Sequence, residues 1–159
     1  MDPKFAKLVE SLHDQYEKLL KQDPVVIKNW KCKDKKKGIY LFSGTENKPL
    51  YVGRTNNVHQ RYRNHYSSNI NSATFAIKIA RNKTGHTADY TKEKSAATLI
   101  QDASTGFREE FNAARDEIKK MKFRFVEEAD PTRQALLEIY CAVVLGTTGK
   151  DKYNDFDTH

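Results

Sequence analysis

The chain has 159 residues, the length of one ordinary globular domain with a single hydrophobic core. Charged residues make up 31% and apolar residues 38% of it, but 8 Phe, 8 Tyr and 1 Trp argue against disorder, and the longest apolar run, 139–145, is too short to span a membrane. A formal charge of +7 suits a polyanionic partner without naming one.

Asp2 and Pro3 supply an N-cap and a first helical position. Phe5, Leu8, Leu12, Tyr16 and Leu19 follow at three- or four-residue spacing, which predicts an amphipathic helix ending at Asp23-Pro24. Its apolar face packs on its own domain or serves a dimer, so monomer and homodimer both stay open. Lys28 to Lys37 then holds six lysines and one aspartate around Trp30, a solvated linker or a grip on phosphates.

Two strand-like runs, Gly38–Phe42 and Leu50–Arg54, flank a turn-rich segment and predict an antiparallel hairpin. With Phe42 opposite Pro49, Tyr40 would face Tyr51 and Gly38 would face Gly53. Asn56 or Asn57 caps a helix to about Ser68, in which Arg61 and His65 lie four residues apart. Ser72 is expected to cap a helical segment over 73–80, and 83–106 reads as a mobile loop or loose helices. Phe107, Phe111 and Ile118 share one face of a charged helix ending near Lys120. Met121, Phe123 and Phe125 alternate with basic residues as a third strand, and Asp130-Pro131 opens a last helix closed by Gly146. The organisation expected is an N-terminal helical arm, 1–27, followed by one domain, 28–159, with a helical insert at about 69–121. Cys32 and Cys141 have no metal-finger spacing and the N-terminus has no signal-peptide core, so the cytoplasm is the expected compartment.

The last helix is apolar on nearly every side from Ala135 to Leu145 and is expected to be largely buried, yet Glu138 sits inside it. A buried carboxylate left alone costs several kcal/mol, so Glu138 requires an Arg, a Lys or a metal ion beside it. Glu127 and Glu128 are rival acids, expected to face solvent at the end of the third strand.

The tripeptides Gly38-Ile39-Tyr40 and Tyr51-Val52-Gly53, with Arg61, His65, Glu138 and Asn154 after them in order, resemble the signature of the GIY-YIG endonuclease superfamily. The resemblance runs from Gly38 to Asn154, with YVG in place of YIG and a longer stretch than a minimal member has over 68–121. It implies an α+β fold, a small and mainly antiparallel three-stranded sheet flanked by helices. It also implies a DNA endonuclease that leaves 5′-phosphate ends, with Glu138 binding one Mg²⁺ or Mn²⁺. One carboxylate suits such an ion, which completes its shell with phosphate oxygens and waters. Arg61 would clamp the phosphate oxygens. Tyr40 would act as general base or position the water, although a free phenol with a pKa near ~10 needs a cation such as Arg54, Arg61 or the metal to become a base. Tyr51 would hydrogen-bond the water or phosphate, His65 would orient Tyr40 or relay its proton, and Gly38, Gly53, Arg54 and Asn154 would support the site. Lys35, Lys36, Lys37, Arg54 and Arg63 are the expected DNA contacts. The given sequence ends five residues past Asn154, so specificity is expected from the arm, the lysine run, the insert or a second subunit. Restriction, repair and mobile-element roles remain open. Two alternatives are a DNA-binding module of the same fold without catalysis and a protein-interaction domain built on the first helix.

Overall fold

The computed structural model describes residues 1–25, 35–87 and 91–156. Most of the Lys28–Lys37 run, including Trp30, therefore lies outside the described residues. The chain divides into two compact units, one made of Met1–Arg61 and Met121–His159, the other of Tyr62–Lys120.

The first unit is built on a three-stranded antiparallel sheet in the order β2-β1-β3, from β1 (Gly38–Ser43), β2 (Pro49–Thr55) and β3 (Lys122–Glu127). β1 is central and buried along its whole length. Pleat alternation gives the sheet two faces. On one, Ile39, Leu41, Val52 and Val126 join Leu12, Leu19, Leu137, Cys141 and Ala142 in a core. The helical members come from α1 (Pro3–Lys21) and α6 (Pro131–Val144). On the other face Tyr40, Phe42 and Phe123 form an aromatic layer with ring centroids 5.0 to 5.9 Å apart.

The helix starts follow from their caps. Asp2 Oδ1 accepts from the N–H groups of Lys4 and Phe5 at 2.9 and 3.1 Å, and Asp130 Oδ1 from that of Arg133 at 2.8 Å. α6 departs from the sequence expectation in its outer side. Ile139, Val143 and Val144 are 47%, 60% and 51% exposed, so only the stripe of Gln134, Leu137, Cys141 and Ala142 is buried. Composition made the helix look buried all round, but a single sheet offers it only one face to pack on.

Strand pairing leaves two open edges, and polar side chains close both. On β2, Asn154 Oδ1 accepts from the Val52 N–H at 2.8 Å while its Nδ2 donates to the Val52 carbonyl at 2.7 Å. On β3, Gln22 Oε1 accepts from the Phe125 N–H at 2.7 Å, the Val25 N–H donates to the Phe123 carbonyl at 2.8 Å, and Gln15 Nε2 donates to the Glu127 carbonyl at 3.1 Å. Each contact satisfies a main-chain group that would otherwise template another strand.

The hairpin register differs from the one expected. A bulge between Phe42 and Ser43 shifts the pairing, so Tyr40 lies opposite Gly53, Phe42 opposite Tyr51 and Gly38 opposite Thr55. The two tyrosines remain on one face but sit diagonally, their ring centroids 6.3 Å apart. Gly53 permits this, because a Cβ there would overlap the Tyr40 phenol. A Cβ on Gly38 would likewise strike the Val126 carbonyl of the neighbouring strand.

The second unit holds the end of α2 (Val58–His65), α3 (Thr74–Thr84), α4 (Ala96–Gln101) and α5 (Phe107–Lys120). Phe75, Ala76, Ile79 and Ala80 of α3 are buried with Phe107, Phe111, Ala114 and Ile118 of α5. The Arg81 guanidinium donates to the carbonyls of His86, Thr87 and Lys94 and stands 5.9 Å from the Phe107 ring centroid, which organises a stretch that reads as loose in the sequence. Two boundaries differ from expectation. α2 ends at His65 because Ser67 turns its hydroxyl back to the Asn64 carbonyl at 3.0 Å. Ser72 does not cap α3: its hydroxyl bonds the Asn69 carbonyl at 3.2 Å, and Ala73 holds the cap position.

The one-sided burial of α6 sets a contrast that urea unfolding measures. Leu137→Ala is expected to cost about 2–5 kcal/mol, whereas Val143→Ala stays within about 0.5 kcal/mol.

Candidate active site

Tyr40, Tyr51, Gly53, Arg54, Arg61, Glu138 and Asn154 all belong to the first unit. β1 presents Tyr40, β2 presents Tyr51, and α2 brings Arg61 to the same aromatic face. Asn57 Oδ1 caps α2 through the Gln60 N–H at 3.1 Å, and the Val58 N–H reaches the Lys36 carbonyl at 2.9 Å, which fixes the helix start against the strand that leads into Tyr40.

Arg61 Nε donates to the Tyr40 hydroxyl at 3.3 Å, and Tyr51 hydrogen-bonds both Tyr40 and Arg61. Burial pushes the Tyr40 phenol well above its ordinary pKa, the neighbouring Tyr51 adds to the rise, and Arg61 offsets only part of it. Burial likewise raises Tyr51 against the pull of Arg61. Desolvation works to lower the Arg61 pKa, but its contacts with the two tyrosines outweigh that and leave it raised. The trio at neutral pH is therefore two protonated phenols and one guanidinium. Burial disfavours the Tyr40 phenolate more than Arg61 favours it.

Glu138 stands beside the outer edge of β2. Arg54 Nε stands 3.1 Å from its Oε2 as an ion pair. The cation required by a carboxylate in an apolar helix is thus Arg54. Burial raises the Glu138 pKa above the ordinary carboxylate value, with Arg54 and then Arg61 pulling against it.

The rival acids separate. Glu127 is exposed and pairs with Lys36 Nζ at 2.6 Å. Glu128 is buried, contrary to its expected solvent position, and Arg133 Nε donates to it at 2.9 Å. That arginine also donates to Ser11 of α1 at 2.6 Å, so Glu128 ties the start of α6 to α1 and is spoken for.

The remaining predicted residues belong to the second unit or to the segment ahead of β1. His65 is buried in the second unit, its ring 6.3 Å from that of Phe75. Arg63 is exposed in the same unit, and Lys35 and Lys37 are exposed ahead of β1. Sequence reasoning missed Gln15 and Gln22 on the β3 edge and the pairing of Arg54 with Glu138. The edge amides follow only from the strand order, which no local pattern carries.

Among the described residues, no group of three or more His, Cys, Asp or Glu could hold a metal ion. Glu138 alone still fits a hard divalent ion such as Mg²⁺, which commonly takes one or two carboxylates and fills its shell with waters and substrate phosphates.

Residues 36–154 match the family model of the GIY-YIG catalytic domain. The chain belongs to the GIY-YIG family, whose members are nucleases acting on DNA. No curated protein and no solved structure matches it. No helix among the described residues is long and apolar enough to cross a membrane.

The raised Glu138 pKa has a sign that unfolding experiments read. The folded state holds the Glu138 proton more tightly than the unfolded chain, so the group's contribution to stability is lost as pH rises through its raised value. Glu138→Gln is expected to match or exceed the wild type in stability at pH 8. Its advantage should shrink toward pH 4, as denaturant midpoints across that range will report.

Proposed function

We propose that this protein is a metal-dependent DNA endonuclease that hydrolyses phosphodiester bonds. The observation that carries the reading is the Tyr40–Tyr51–Arg61 hydrogen-bonded trio, borne on the same unit as the partly buried carboxylate of Glu138. A guanidinium held by two neutral phenols keeps its charge and its orientation, as a clamp on non-bridging phosphate oxygens requires. Tyr40 would position the attacking water or, with a bound metal ion added to Arg61 to offset its burial, act as general base. Tyr51 supports the same water or the phosphate through its hydroxyl. Bound at Glu138, Mg²⁺ or Mn²⁺ would offset charge on the phosphoryl oxygens and on the departing 3′ oxygen. Asn154 holds β2 in place through Val52, one residue from Tyr51 and from Gly53.

Lys35 and Lys37, both exposed, with Arg63, are the proposed backbone-phosphate contacts, while Lys36 is drawn partly toward Glu127. The +7 balance favours DNA as the polyanion, and the cytoplasm is the proposed compartment. The competing reading is a DNA-binding module of the same fold without catalysis.

A plasmid-nicking assay with Mg²⁺ and with EDTA separates the two. Cleavage is expected with Mg²⁺ only, lost in Glu138→Ala and reduced about 10²–10³-fold in Arg61→Ala. Binding without cleavage across Mg²⁺, Mn²⁺ and branched substrates would establish the inactive module instead. Replacing Lys35, Lys36 and Lys37 together by alanine should lower the salt slope of DNA binding by about one unit for each phosphate no longer gripped.

A further inference from the structure

Arg54 is the cation that holds Glu138. Its guanidinium, 3.1 Å from Oε2, lies on a side chain that is 50% exposed, whereas the Glu138 side chain is only 20% exposed. The guanidinium neutralises the carboxylate from its more solvent-exposed side.

A divalent ion and a guanidinium compete for the same carboxylate charge. Among the described residues, Glu138 belongs to no group of three or more His, Cys, Asp or Glu that could hold a metal ion. A phosphate diester offers the guanidinium an alternative partner, with bidentate geometry as good as that of a carboxylate.

We propose that the Arg54 guanidinium is a substrate-released latch on Glu138, which holds the carboxylate against a divalent ion until a DNA phosphate draws the side chain away. The inference rests on the nuclease reading above and adds to it an order of assembly, DNA before metal. Linkage makes the effect reciprocal: DNA tightens metal binding, and metal tightens DNA binding, by the same factor. The latch keeps the DNA-free protein from carrying a loaded ion.

Isothermal titration of Mn²⁺ into the full chain without DNA tests the proposal. Arg54→Gln, which keeps much of the side-chain stem, and Arg54→Ala are each expected to bind Mn²⁺ about tenfold more tightly than the wild type. Arg54→Lys, which keeps the charge, should bind as weakly as the wild type. In both tightened variants the added affinity should vanish when Glu138→Gln is introduced, and thermal melts without metal identify any variant that has lost its fold. Folded Arg54→Gln that binds Mn²⁺ no more tightly than the wild type, while Glu138→Gln still removes binding, overturns the latch and leaves the metal assignment standing. Mn²⁺ binding that is insensitive to Glu138→Gln in every background overturns the metal assignment and the latch together.

Discussion

β2 lies at the edge of a three-stranded sheet, and its outward main-chain groups must be satisfied by something other than a strand. Asn154 takes both groups of Val52, and Glu138 pairs with the guanidinium of Arg54 two residues further on. Two side chains from distant parts of the sequence are thereby registered against one strand. A hydrogen bond adds only about 1 kcal/mol net, but a buried main-chain group left unpaired costs more, so the edge selects Asn154 strongly. The candidate metal ligand stands beside the same strand through its ion pair with Arg54.

The two faces of the sheet divide the labour. One is aliphatic and packs on α1 and α6, which makes the scaffold. The other is aromatic and polar at its tip, where Tyr40, Tyr51 and Arg61 meet. The bulge after Phe42 and the missing side chain at Gly53 let the Tyr40 ring cross toward the neighbouring strand. Burial then sets the chemistry. It keeps the phenols protonated, and it makes the Glu138 carboxylate a strained anion that gains from any cation.

Much of this was legible in the sequence. Three strands, the caps at Asp2 and Asp130, the helix following the hairpin and the closing Gly146 all carry local signals, and local signals survive folding. The need for a cation at Glu138 was also legible, since it follows from the cost of burying charge in an apolar segment. The identity of that cation was not. Tyr40 and Tyr51 could be placed on one face but not in register, because a one-residue bulge is set by the turn. The burial of Glu128 was hidden for a similar reason: its partner Arg133 lies five residues on, but the burial comes from α1 packing over both.

The sequence by itself determined the element order, the family signature and the residue types available for phosphodiester chemistry, because these depend on composition and spacing along the chain. Only the tertiary structure decided that Arg54 is the partner of Glu138, that Tyr40 lies over Gly53 as a neutral phenol, and that α6 buries one side and exposes the other. Those outcomes depend on which surfaces meet and how much water they exclude, and neither quantity is written in any local run of residues.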